Sequence, residues 1–240
     1  MSIYSWAPDI YEAKQAGRCS LGVRMKKILI WLVVIIVVIG ALWGVTKIAS
    51  KTGGTGGVSN VSIPAINDQD WVLGNRNANA VLIEYSDFQC PACAAFSPVV
   101  EQLNKDFGDK LVIVYRFFPL ITIHKNAMIS SQAADAAGKQ GKFWEIAKVI
   151  FENQIQWENN TTPKDVFIEY AHGLSLNVDK FQKDMESPET LSKIQKAYQD
   201  ALDLKLEGTP TFFLNGKQLA KLPQSYDQFK TLIQNAINNP

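Results

Sequence analysis

Residues 28–45 carry no charged side chain, and that run restricts the chain more than any other feature. At about 1.5 Å per helical residue it extends roughly 27 Å, close to the thickness of a bilayer's hydrocarbon core. Arg18, Arg24, Lys26 and Lys27 precede it, and only Lys47 and Lys51 closely follow. That asymmetry keeps residues 1–27 as a cytoplasmic tail and exports everything after the run. Trp31 and Trp43 fall near the two expected interfaces. A cleaved signal peptide starting at Met25 is the competing reading, because Met25-Lys26-Lys27 ahead of an apolar run looks like a charged n-region. No small-residue cleavage site and no lipid-accepting cysteine follow Val45, which favours a retained single-pass anchor in the cytoplasmic membrane, in direct contact with its lipid.

Residues 46–65 read as a flexible linker, with Gly53, Gly54, Gly56 and Gly57 inside it and a reach of roughly 25 Å. The 24 basic and 23 acidic residues nearly cancel, so the chain lacks the positive surplus that neutralises phosphates, and no nucleic acid is expected as a partner. Three cysteines are too few for a disulfide-stapled scaffold. Cys19 lies in the tail and reads as an incidental thiol. The other two must be explained by redox chemistry or by metal, and with only His124 and His172 to help a zinc site is short of ligands. No metal is expected.

From residue 66 onward the pattern alternates. Val81 to Tyr85 reads as a buried strand ending at Ser86-Asp87, which offers turn and capping chemistry just before Cys90. Phe96, Val99, Val100, Leu103 and Phe107 then recur at helical spacing, with Pro98 expected to kink the helix and Gly108 to end it. A second strand follows over 111–117. Between His124 and Leu204 the period is helical throughout, and Thr162-Pro163 and Ser187-Pro188 mark helix starts inside the block. Thr211 to Leu214, Asn215-Gly216 and Lys217 to Leu219 give a hairpin. Ser225 and Gln228 suit a capping box ahead of a closing helix on Phe229 and Ile233. The expected order is βαβ, helical block, ββα.

A Cys-x-x-Cys at a helix start provides an attacking thiolate, favoured by unpaired N–H groups and the helix dipole, and a second thiol to resolve the mixed disulfide. The same spacing also serves half a zinc site. The stretch from Glu84 through Cys90-Pro91-Ala92-Cys93, then Phe117-Phe118-Pro119-Leu120, then Gly208-Thr209-Pro210-Thr211-Phe212 resembles the DsbA-type thiol:disulfide oxidoreductases of the thioredoxin-like superfamily. The resemblance covers about residues 65–240. It implies an α/β thioredoxin-like fold with an inserted helical domain at about 124–203, here preceded by one N-terminal transmembrane helix.

By that resemblance Cys90 is the nucleophile and Cys93 the resolving thiol. Thr209 and Pro210 form a substrate-binding loop with a cis-proline, whose backbone pairs with an extended substrate segment. Glu84 is a buried carboxyl that exchanges a proton with Cys93. The redox-active disulfide needs no bound cofactor. Partners would be exported proteins with cysteine thiols and a membrane redox protein that reoxidises the pair. Ala92 stands where the best-known oxidants of the family carry histidine, and losing that contact to the thiolate moves the couple toward the reducing end. The alternatives are a reductase or isomerase of the same fold, and a metal-handling module that uses the cysteine pair. His124, Phe88, Phe118 and Phe212 are near the motif but read more simply as a cap and core aromatics.

Overall fold

Five short segments, all but the last dominated by branched and aromatic side chains, pair into one sheet: β1 (Trp71–Gly74), β2 (Ala80–Ser86), β3 (Leu111–Phe117), β4 (Thr211–Leu214) and β5 (Lys217–Gln218). These come from a computed structural model, which describes Leu32, Ile63 and residues 65–240. The chain divides into two units between Gly57 and Val58, and all described residues except Leu32 belong to the second. The charge-free run apart from Leu32, the tail with Cys19 and most of the glycine linker lie outside the described residues. Among the described residues, no helix is long and apolar enough to cross a membrane.

The strand order is β1-β3-β2-β4-β5, with β2 and β3 parallel and every other pair antiparallel. A parallel pair needs a crossover, and α1 (Pro91–Phe107) supplies it. Helices α2 (Ala127–Gly138), α3 (Phe143–Glu152), α4 (Gln154–Trp157), α5 (Pro163–Gly173), α6 (Val178–Met185) and α7 (Pro188–Asp203) form the block between β3 and β4, and α8 (Tyr226–Asn238) closes the chain.

Alternation along the strands sends side chains to two faces. Leu82, Ile113 and Phe212 meet Val100, Leu103 and Phe107 of α1 and Phe229 and Ile233 of α8. On the other face, Ile83, Tyr85, Val114 and Phe213 meet Ala201 of α7 and Leu206. A third cluster gathers Ile146, Ile150, Trp157, Phe167, Phe181 and Ile194 of the helical block, and it is continuous with Phe88, Cys90, Cys93 and Tyr115. The cysteine pair therefore sits at the seam between the sheet and the inserted helices.

Local chemistry differs from expectation in several places. Strand β1 had no place in the expected order, because four residues are too short to show alternation. It pairs on the outside of β3, with Trp71 opposite Tyr115. Asp87 does not cap α1: Cys90 occupies the N-cap position, with no side-chain hydrogen bond. Ser187 Oγ accepts the Thr190 N–H as foreseen, whereas Thr162 makes no such bond; Asn160 Oδ1 instead accepts the Thr162 N–H at 2.8 Å. Gln228 reaches back to the N–H of Gln224 rather than that of Ser225. Helix α1 continues through Pro98 and ends at Gly108, whose φ of 49° suits glycine. Ile63 and Ile66 pack against the sheet, and Arg116 grips the same segment through Asp70 at 2.8 Å and the Ala65 carbonyl at 3.2 Å.

Helix α2 is built almost wholly of small buried residues, which lets the Trp71 ring approach its end while stacking on Phe143 at 4.8 Å. A methyl group at Gly138 would stand 2.3 Å from the Trp71 ring. Because that ring is held by the stack and by a bond to Asp135, Gly138→Ala is expected to destabilise the protein by about 1–3 kcal/mol, the usual cost of overpacking. Urea denaturation of the variant beside the parent measures it.

Candidate active site

Strand β2 ends at Ser86, a turn spans 87–89, and Cys90 sits at the N-cap of α1 with extended backbone (φ −77°, ψ 122°). Pro91 in the first turn gives up an N–H that would have had no partner there. Three residues on, Cys93 lies on the inner side of the helix with no exposed surface, while Cys90 keeps 6%. Both thiols are free. The Thr209–Pro210 bond is cis, and Cys90 Sγ lies 3.3 Å from the Thr209 carbonyl, to which the neutral thiol donates. Glu84 is buried on β2, opposite Tyr115 on β3 and Phe212 on β4. The fold thus brings Cys90, Cys93 and Thr209-Pro210 together, with Glu84 in the layer beneath.

Their electrostatics separate the two sulfurs. A hydrogen bond from the Cys93 thiol is the main influence lowering the Cys90 pKa to about 5; burial opposes it, and the Thr209 side chain and the N–H groups of Cys93 and Ala92 assist. The Thr209 hydroxyl is buried and completes no hydrogen bond with the protein, Cys90 included. Burial pushes Cys93 well above an ordinary thiol, and donation to Cys90 and the charge of Glu84 add to the effect. Burial also lifts Glu84 to about 7, with the Ser86 hydroxyl pulling down and the Cys90 charge pushing up. One sulfur is held as thiolate and its neighbour as thiol, beside a carboxyl that titrates near neutrality.

The turn that carries Cys90 is fastened from three sides. Asp87 has no exposed surface. Its Oδ1 accepts the Gln89 N–H at 2.8 Å, and its Oδ2 accepts the Leu120 N–H at 2.9 Å and meets His124 Nδ1 at 2.6 Å. Gln89 donates to the Glu158 carbonyl and accepts from the Asn126 N–H, and Gln154 donates to the Phe88 carbonyl at 2.7 Å. Sequence reasoning read His124 as a cap rather than a groove residue and Asp87 as turn and capping chemistry, and it passed over Gln89 and Asn126. Apart from the local Asp87–Gln89 bond, the partners named lie 31 or more residues away along the chain, beyond any spacing rule. Phe88, Phe118 and Phe212 are all buried, so they are core. Exposed apolar side chains nearby are Ile121 and Ile123 on the loop after β3 and Ile155 on α4, the last 87% exposed.

A groove of about 620 Å³ runs beside the cis-proline, lined by Leu204, Lys205, Glu207, Thr209, Thr211 and Gln218 among others. A second cavity of about 720 Å³, between residues 67–70, β3 and α7, reaches neither cysteine. Among the described residues, no three His, Cys, Asp or Glu side chains are grouped to hold a metal ion.

A Cys-x-x-Cys pair at the start of the crossover helix, facing a cis-proline loop, with helices inserted between β3 and β4, defines a thioredoxin-like fold. The chain belongs to the thioredoxin family, whose model matches residues 67–235. Its fold is similar to that of oxidised BdbD from Bacillus subtilis (TM-score 0.65, 20% identity, covering 74% of this chain and 98% of that one). It is also similar to alpha-DsbA1 from Wolbachia pipientis (TM-score 0.62, 19% identity, 75% and 96%). Among curated relatives, it is 34% identical over 157 residues to the Na(+)/H(+) antiporter NhaA 1 of Mycolicibacterium vanbaalenii, covering 64% of this chain. The match spans only 24% of that much longer relative.

Glu84 makes a pH-dependent contribution to stability whose sign is fixed. Its folded pKa of about 7 lies above the ordinary 4.5, so between those values the fold retains a proton that the unfolded chain has released. Stability from this group is present at low pH and is lost as pH rises through that window, by on the order of 3 kcal/mol. Glu84→Gln should lack the loss. Denaturation of the reduced parent and variant side by side, from about pH 4.5 to about pH 7, should show the gap change in the variant's favour as pH rises.

Proposed function

We propose that this protein is a thiol–disulfide oxidoreductase that oxidises cysteine pairs in exported proteins. Residues 28–45 anchor it in the cytoplasmic membrane, and the catalytic domain lies on the outer side. The observation that carries the proposal is the unequal pair: Cys90 at the surface end of α1 beside the Thr209 carbonyl, and Cys93 buried beneath it.

In this reading a substrate thiolate attacks Cys90 Sγ of the disulfide. Cys93 leaves and takes a proton from the Glu84 carboxyl, and a mixed disulfide forms between substrate and Cys90. A second substrate thiolate then attacks the substrate sulfur. The oxidised substrate departs, and Cys90 remains as the stabilised thiolate. Thr209 offers its backbone to the substrate segment as an added strand in the groove beside Pro210. A disulfide in a membrane partner restores the pair by the reverse steps, and no organic cofactor takes part.

The direction rests on the thiolate. Stabilising the reduced form makes a dithiol couple a stronger oxidant, and Cys90 is held well below the ordinary thiol. Ala92 contributes a backbone N–H to that effect, although it lacks the histidine side chain of the familiar oxidants. The reduction potential of the Cys90–Cys93 couple, equilibrated against glutathione in the full-length protein, tests this reading. A value at or above about −180 mV is expected, whereas one near about −270 mV would assign the protein to the reductases. Stoichiometric metal binding with no reversible couple would remove the enzyme reading altogether.

A further inference from the structure

Asp87 has every polar atom engaged and no exposed surface. Its Oδ1 accepts the Gln89 N–H, and its carbonyl accepts the Cys90 N–H at 3.0 Å, which closes the turn into α1. Its own N–H serves the second cysteine, because a backbone hydrogen bond from Asp87 favours negative charge on Cys93. Oδ2 is left to the loop after β3, which grips it twice, through the Leu120 N–H and through His124 Nδ1. The Leu120 carbonyl accepts the His124 N–H at 2.9 Å, so the two donors belong to one closed turn around that oxygen.

Both carboxylate oxygens accept backbone N–H groups, and an ionised carboxylate can only accept, so Nδ1 of His124 is the donor in the 2.6 Å contact. That contact is shorter than an ordinary N–H···O bond, as charge-assisted ones are. The His124 side chain is 17% exposed and that of Asp87 is fully enclosed, so the pair runs from the protein surface to the turn behind Cys93. A buried carboxylate that loses a donor moves or draws in water, and such a movement carries the Asp87 N–H with it. The N–H matters at one moment. When the disulfide opens, the breaking S–S bond delivers its electron pair to Cys93, which has no exposed surface. A preorganised donor aimed at charge that develops in the transition state is commonly the largest single contribution to catalysis.

We propose that His124 and Asp87 are a positioning pair for the leaving thiolate: together they hold the Asp87 N–H against Cys93 Sγ while that sulfur carries charge. The proposal rests on the oxidoreductase reading above. In the opening step a substrate thiolate bonds to Cys90 Sγ, the Cys90–Cys93 bond breaks, its electron pair passes to Cys93, and the Glu84 proton follows. In the closing step Cys93 returns that proton to Glu84 and attacks Cys90 Sγ in the mixed disulfide, expelling the thiolate bound there. Cys93 is anionic at the transition state in both directions, and a neutral thiol or half of a disulfide at either end. The pair therefore acts on the two rates together and not on the equilibrium. His124 also offsets the Asp87 charge, which would otherwise oppose a second negative charge nearby. Cys90 draws on Cys93, Thr209 and Ala92, so its own attack on an external disulfide is independent of the pair.

The test uses the full chain in detergent carrying Cys19→Ser, reduced and rapidly mixed with an aromatic disulfide reagent whose released thiolate is coloured. The first release reports attack by Cys90, and the second reports closure by Cys93. His124→Phe should slow the second release about tenfold, as a misplaced transition-state donor does, and leave the first unchanged. Opening of the oxidised variant by dithiothreitol should slow by the same factor, so that the reduction potential stays at the parent value. His124→Asn, whose amide nitrogen takes the place of Nδ1, should restore both rates. His124→Gln, whose nitrogen lies one bond farther out, should not. A second release indifferent to His124→Phe overturns the proposal, as do equal slowing of both releases, a shifted potential, or failure of His124→Asn to restore the rates. Should His124→Phe not fold, the comparison of His124→Asn with His124→Gln decides in the same way. A cysteine pair with no reversible couple defeats the proposed function; a working couple whose second release ignores position 124 defeats the positioning pair alone.

Discussion

The hydrogen bond from the Cys93 thiol to the Cys90 sulfur is the contact on which the other features of the site depend. It makes two chemically identical side chains unequal: the acceptor becomes a stable thiolate and the donor a reluctant acid. The bond needs Cys93 turned inward and dry, and the fold secures this by placing α1 against the sheet with Val100, Leu103 and Phe107 in the core. Cys90, at the N-cap position, keeps a small exposed surface beside the exposed Pro91 and Ala92. A charge so held in a largely apolar seam needs compensation, and the backbone N–H groups of Ala92 and Cys93 and the side chain of Thr209 supply it.

The inserted helices do more than enlarge the molecule. Their loops return to the cysteine turn and hold it through Gln89, Asn126 and Gln154, while Asp87 and His124 secure the opposite side. A buried carboxylate such as Asp87 survives only where it is fully hydrogen-bonded, and it has two backbone donors and a histidine to meet that demand. These contacts fix the turn from which Cys90 projects, so that its approach to the Thr209 carbonyl is set by the whole domain and not by the Cys-Pro-Ala-Cys segment alone.

Much of this was legible in the sequence, for identifiable reasons. Strands buried on both faces read as apolar runs, so β2 and β3 were found almost residue for residue, and Asn215-Gly216 marked its hairpin through positive φ at both positions. Cys90, Cys93, Glu84, Thr209 and Pro210 were found by local motif and by resemblance. Strand β1 was missed because Trp-Val-Leu-Gly carries no period of its own and pairs only through β3. The roles of Asp87, Gln89, Asn126, Ser86 and Tyr115 arise from contacts across the sheet or between loops, and no spacing along the chain announces them. The sequence also suggested that losing histidine at position 92 weakens the thiolate, yet Cys93 itself is the principal donor.

The claim that the two sulfurs are unequal is tested most directly by brief alkylation of the reduced full-length protein across a pH series, with each cysteine peptide quantified separately by mass spectrometry so that Cys19 is counted apart. Cys90 should be labelled with a midpoint near pH 5, far below the ordinary thiol value of 9.0, while Cys93 stays unmodified throughout the range in which Cys90 reacts. Equal labelling of the pair, or a Cys90 midpoint at the ordinary value, would contradict the account.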